Sequence, residues 1–161
     1  LFEKLFSIAD ETHGWSDFLK MLKTENALLS QSIGQDLPRG VIHGDLFPDN
    51  VIGTEREVKS LLDFEEICYD VLAFDLVMTF VGFGWENGLP VAKRWDSLLA
   101  GYQSIRKLND AEINALPALH RLATLSIAAW RYWQFVINLP NTKHTDRYLE
   151  MTERLNKKLP F

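Results

Sequence analysis

Cysteine is almost absent. Cys68 is the only one in 161 residues, so no intramolecular disulfide can form and no cysteine-built zinc site exists. That usage fits a reducing compartment, and a cytoplasmic location is expected. Long apolar runs are missing as well: no stretch approaches the roughly eighteen residues that span a bilayer, and no signal-peptide pattern opens the chain. Basic excess is also lacking. With 17 Lys and Arg against 22 Asp and Glu, the net charge is −5, which argues against a nucleic-acid binder driven by counterion release and gives no reason to expect an anionic membrane as partner. No Gly-x-Gly-x-x-Gly precedes residue 43, and the spacing of Gly82, Gly84 and Gly88 is not that fingerprint either. Internal repeats, low-complexity tracts and interdomain linkers are absent.

What is present is the composition of an ordinary globular protein, 47% hydrophobic and 24% charged. Its length predicts one domain, residues 1 to 161, that buries roughly two-thirds of its unfolded surface.

The chemistry concentrates between Arg39 and Glu66. Val41-Ile42 and Asn50-Val51-Ile52 read as short strands flanking the polar loop His43-Gly44-Asp45-Leu46-Phe47-Pro48-Asp49-Asn50. A third apolar run, Val58 to Leu62, follows the turn-like Gly53-Thr54-Glu55-Arg56-Glu57 and predicts a hairpin. Asp45, Asn50 and Asp63 then lie at neighbouring strand ends. Such a trio suits phosphoryl transfer to a hydroxyl: Asp45 as base, Asn50 and Asp63 as hard oxygen ligands for Mg2+ on the phosphates of a nucleotide. His43 is expected to brace this catalytic loop.

His43-Gly44-Asp45-x-x-x-x-Asn50, followed thirteen residues later by Asp63-Phe64-Glu65, resembles the catalytic loop and magnesium segment of the aminoglycoside phosphotransferase and choline kinase superfamily. Leu37 to Val51, together with Cys68-Tyr69-Asp70-Val71-Leu72-Ala73-Phe74-Asp75-Leu76, looks most like the type II homoserine kinases. The likeness covers roughly residues 20 to 158. It departs at Gly44, where many of those enzymes carry Ala, and at Glu65-Glu66, where they tend to carry aromatic residues. The resemblance implies Asp45 as base, Asn50 and Asp63 as magnesium ligands, and Asp75 as a carboxylate supporting the loop. It further implies an ATP- and magnesium-dependent kinase acting on a small molecule, an amino alcohol or hydroxy amino acid, with L-homoserine first. Choline, ethanolamine, an aminoglycoside or a sugar is the alternative acceptor, and a non-catalytic binding lobe is the alternative outside the kinases.

The fold expected is α+β and mostly helical, a protein-kinase-like carboxy-terminal lobe in which a small β-hairpin carries the site. The glycine-rich loop and strand lysine of an amino-terminal nucleotide lobe are not seen. With Leu1 in place of Met, the chain reads as a piece of a longer product, or as one whose partner chain supplies that lobe.

Helical spacing predicts the remaining elements. Leu1, Leu5 and Ile8 end one helix, His13 falls in a surface loop, and Trp15 to Ser32 forms a second helix capped by Gly34. A buried helix spans Val71 to Phe83, capped by Asp70, and Asp75 within it requires a hydrogen-bond partner, for which the loop backbone is the candidate. Pro90 is placed to open the next helix, Asn109 to Glu112 carries capping residues, and Pro117 either starts a helix or kinks one. A long helix is expected from Ala118 to Asn138 and a last one from Asp146 to Lys158. Four substrate contacts are candidates. Glu65 is either an ammonium ligand or, with Glu66, a solvated pair; Arg121 and Arg131 are carboxylate clamps. Trp85, with Trp130, Tyr132 and Trp133, is either an aromatic box for a quaternary ammonium or core packing.

Overall fold

Backbone contacts sort the chain into two units, Leu1–Ile33 with Arg121–Lys157 and Gly34–His120 with Lys158–Phe161. The computed structural model describes residues 1 to 161 except the side chain of His13, so the surface placement expected of that histidine lies outside the described residues. The architecture is α+β, mostly helical with three two-stranded antiparallel sheets among the described residues.

In the first unit, α1 (Phe2–Ile8) buries Leu5 and Phe6 and runs into a wider turn over Ala9–His13. Helix α2 (Asp17–Ser32) starts where the sequence supplies a cap, the Ser16 hydroxyl accepting from the Leu19 amide at 3.3 Å. Its stripe of Phe18, Leu19, Leu22 and Leu29 is buried, each fully buried leucine contributing about 1.5–3 kcal/mol. The helix ends at Ser32 as expected, but Ile33 rather than Gly34 is its cap: Ile33 turns extended and its amide closes the last turn on Leu29 at 2.9 Å. The last helix is shorter than predicted, α6 spanning Arg147–Arg154.

The second unit holds the strands β1 (Arg39–Ile42), β2 (Val51–Gly53), β3 (Val58–Leu61) and β4 (Cys68–Val71), then α3 (Leu72–Phe83). The β2–β3 hairpin pairs Val51 with Leu61 and Ile52 with Ser60. Strand β1 pairs instead with β4, from Arg39 opposite Val71 to Ile42 opposite Cys68. Asp70 is therefore not the expected helix cap. It sits in β4, where its carboxylate meets Arg39 at 3.2 Å and accepts from the Val71 amide at 2.8 Å, while Val71 is the N-cap residue of α3. Helix α3 is apolar on nearly every side, burying Ala73, Leu76, Val77, Met78, Phe80 and Val81, which fixes its position within the unit.

After α3 the chain makes a hairpin that periodicity did not reveal, β5 (Trp85–Glu86) and β6 (Leu89–Pro90). Asn87 and Gly88 connect them with φ of 50° and 74°, the Asn-Gly signature of a tight primed turn. Pro90 thus closes a strand rather than opening a helix, and α4 (Ala92–Ile105) begins two residues later. Its Trp95 packs edge-on against Phe80 at 5.1 Å and lies 4.1 Å from the Phe161 ring.

Helix α5 (Asp110–Tyr132) starts earlier than expected and carries Pro117 inside it, then widens over Trp133–Asn138. Its first turn explains the early start. Asn109 Oδ1 accepts from the Glu112 amide at 2.9 Å while Glu112 Oε2 accepts from the Asn109 amide at 3.1 Å, a reciprocal cap. Glu112 is fully buried, and Arg106 joins it with two guanidinium nitrogens. Burial pushes the Glu112 carboxyl upward, but the Arg106 hydrogen bond, the Asn109 amide and the Arg106 charge outweigh it, holding the group below its ordinary value. A carboxylate depressed in the folded state contributes stability above its unfolded pKa and loses it as pH falls through the folded one. Glu112→Gln is expected to cost about 2 kcal/mol at neutral pH, with parent and variant stability curves converging once the pH has fallen below the ordinary carboxylate range. A separation that stays constant down to that pH would reject the role.

Candidate active site

The loop between β1 and β2 is held from below by α3. Asp75 Oδ2 accepts from the His43 amide and Oδ1 from the Gly44 amide, both at 2.9 Å. Both carboxylate oxygens are thus engaged, which offsets the cost of a half-buried charge in an apolar helix. Residue 44 has φ of 80°, and a Cβ there would stand 2.8 Å from the Glu66 carbonyl oxygen. Glycine is what this close approach requires.

His43 ties this loop to the segment carrying Asp63. Its Nδ1 accepts from the Asp45 amide at 3.3 Å, which leaves the proton on Nε2 to donate to the Leu62 carbonyl at 2.9 Å. Phe64 covers the imidazole, ring centroids 5.0 Å apart. Asp63, between these two contacts, has φ of 58°. A left-handed aspartate is uncommon and collects at functional sites.

Asn50 closes the loop. Its Nδ2 donates to the Asp45 carbonyl at 2.8 Å and to Asp45 Oδ2 at 3.1 Å, so the amide oxygen faces away as an acceptor. A turn of 3-10 helix over Pro48–Asn50 sets that orientation. Burial raises the Asp45 carboxyl above its usual range; the Asn50 hydrogen bond works against this, and Asp49, Asp63 and Glu66 add to it. Three neighbouring carboxylates thus act on Asp45 in the same direction as burial. Among the described residues no three His, Cys, Asp or Glu side chains converge on a metal position.

His43, Asp45, Asn50 and Asp75 are thus one hydrogen-bonded group, with Asp63 linked to it through the His43 bridge. Glu65 is exposed. Arg121 and Arg131 belong to the first unit, and each has a carboxylate partner there. Arg121 grips Glu25 with two bonds of 2.6 Å and reaches the Leu155 carbonyl at 3.2 Å. Arg131 meets Glu150 at 2.9 Å and the Arg147 carbonyl at 3.0 Å. The aromatic residues considered for a box are spent on separate neighbours. Trp85 stacks on His120 at 5.9 Å, Trp130 meets Phe135 edge-on, Tyr132 packs on Phe18 and Tyr148, and Lys4 sits over Trp133.

Sequence reading missed Phe64 as the cover of His43, Glu66 as the residue that dictates Gly44, and Phe47. The first two carried a weak signal in being adjacent to Asp63 and Glu65. Phe47 carried none.

A model of the phosphotransferase enzyme family matches residues 3–108. The chain belongs to that family. It is also similar to proteins named homoserine kinase in several bacteria. In Rhizobium rhizogenes the identity is 39% over 138 residues, 84% of this chain and 42% of that protein. In Rhizobium meliloti it is 37% over 120 residues, 74% and 37%; in Gluconacetobacter diazotrophicus it is 41% over 102 residues, 63% and 32%. The chain spans less than half the length of these curated relatives. No helix among the described residues is long and apolar enough to cross a membrane.

Proposed function

We propose that this member of the phosphotransferase enzyme family is the catalytic, acceptor-binding lobe of an ATP-dependent kinase that phosphorylates the hydroxyl of L-homoserine. In this reading residues 1 to 161 act as one carboxy-terminal lobe and the nucleotide lobe comes from elsewhere in a longer chain or from a partner. The observation that supports it most is the loop geometry: Asp45 and Asn50 share two hydrogen bonds on a frame clamped by Asp75. Asp45 orients the acceptor hydroxyl and accepts its proton. The names and identities of the relatives favour homoserine over choline, ethanolamine, aminoglycosides or sugars.

The donor set fits magnesium. Asn50 has its amide oxygen turned away from its own bonds, Asp63 is exposed in its left-handed conformation, and this cation commonly takes one or two protein oxygens beside phosphate and water. Asn50 and Asp63 would hold it, and there it would neutralise charge on the nucleotide phosphates. Glu65, which is exposed, is the proposed contact for the acceptor's ammonium group; Arg121 and Arg131 are engaged by Glu25 and Glu150.

A coupled assay on the full-length protein, run across an acceptor panel with MgATP, tests the reading. L-homoserine is expected to give kcat/KM at least tenfold above the other acceptors, about the discrimination that a few polar contacts supply. Asp63→Asn is expected to remove magnesium-dependent ATP binding by calorimetry. Turnover of another acceptor at equal efficiency would reject homoserine, and unchanged binding in the variant would reject the metal assignment.

A further inference from the structure

Helix α3 meets the catalytic loop twice, and only the first contact is polar. Gly82 lies seven residues beyond Asp75, two turns along the same face and about 10 Å further on. A Cβ on Gly82 would stand 3.0 Å from Phe47 Cδ1, 3.2 Å from its Cγ and 3.3 Å from its Cα. The last of these is backbone and cannot swing aside. Phe47 is also the link between the two residues on which the proposed chemistry depends. Its amide donates to the Asp45 carbonyl at 3.0 Å, and its carbonyl accepts from the Asn50 amide at 3.0 Å.

We infer that Gly82 is a positioning residue for the catalytic loop. Its bare Cα is the seat on which Phe47 rests, and that seat sets the placement of Asp45 relative to Asn50. The inference rests on the kinase reading and deepens it. Thr79, Phe80 and Val81 are buried, so the helix has little room to retreat and a methyl group at 82 must move the loop instead. Helix propensity works in the opposite direction, since alanine is favoured over glycine by up to about 1 kcal/mol in a helix interior and by less in a last turn such as this one. A purely helical role would therefore make Gly82→Ala neutral or stabilising, with activity unchanged. The positioning role predicts that stability holds while turnover falls, because catalysis loses about a hundredfold for an ångström of misplacement and a loop shift of a few tenths loses about tenfold.

The experiment is steady-state kinetics on the full-length protein with L-homoserine and MgATP, for the parent, Gly82→Ala, Phe47→Ala and the double variant, with Asp45→Asn as the inactive control. Gly82→Ala is expected to lower kcat about tenfold with both KM values within twofold and Tm unchanged or raised. In the Phe47→Ala background, which lacks the two nearest contacts but keeps the Cα, the same change is expected to lose part of its effect. A kcat within twofold of the parent overturns the inference, as does an undiminished loss in the Phe47→Ala background. A Tm lowered by more than a few degrees also overturns it, by placing the clash in helix packing. If the parent phosphorylates none of the acceptors, the kinase reading fails on its own. Amide exchange then decides the seat: faster exchange at Phe47 and Asn50 in Gly82→Ala supports it, and unchanged exchange rejects it.

Discussion

Asp45→Asn in the full-length protein is expected to lower kcat by about 10²–10⁴-fold, the range that a positioned general base supplies, without lowering Tm. The two halves of this result come from one environment. Burial raises the Asp45 carboxyl, and Asp49, Asp63 and Glu66 raise it further against the single opposing bond from Asn50. A carboxyl raised by folding is a net cost once ionised: the penalty is present at neutral pH and disappears as pH falls through the raised folded value. Asparagine keeps an acceptor for Asn50 Nδ2 and carries no charge, so the variant sheds the penalty while the frame stays closed. Its stability advantage should shrink as pH is lowered, because the parent then neutralises the same group by protonation. Thermal melts at neutral and acid pH beside the kinetics check both parts. A variant with parental kcat would remove Asp45 from the chemistry, and one that melts well below the parent at pH 7 would make it a structural carboxylate.

The loop that carries Asp45 was legible as a loop because the residue types and spacing that shape it are local. His43 through Asn50, the turn at Gly53 to Glu57 and the run Val58 to Leu62 lie within a short stretch, and the β2–β3 hairpin follows from them. Asp75 was legible for another reason: a carboxylate in an apolar helix demands a partner, and the amides of His43 and Gly44 answer that demand across 32 and 31 residues. Pairing between distant strands carries no such local sign. Cys68-Tyr69-Asp70-Val71 is as good a lead-in to a helix as it is a strand, and only the ladder to β1 decides it. The arginines show the same limit. Nothing in the residues around Arg121 indicates that Glu25, 96 positions away, holds it with two bonds. Phe47 is the sharpest case, since its close approach to Gly82 joins positions 35 residues apart on different elements.

Asp75→Ala is expected to damage folding and chemistry together. The carboxylate accepts two charge-assisted bonds, each contributing about 1.5–3 kcal/mol, and its loss leaves two partly buried amides without an acceptor. The two bonds share one frame and are not additive, so a total near 3 kcal/mol is the expectation, or roughly 6–12 °C in Tm at 2–4 °C per kcal/mol for a chain of this size. Asp75→Asn should be no milder at the second bond, because its amide nitrogen would face a backbone N–H. The loss of kcat should exceed a hundredfold even at a temperature where the variant is fully folded by circular dichroism, since the His43 and Gly44 amides anchor the strand end from which Asp45 projects. Melting and kinetics separate the two effects. A lowered Tm with parental kcat at low temperature would make Asp75 a structural clamp alone, whereas a kcat loss that persists in the folded variant means that α3 sets the catalytic loop through this carboxylate.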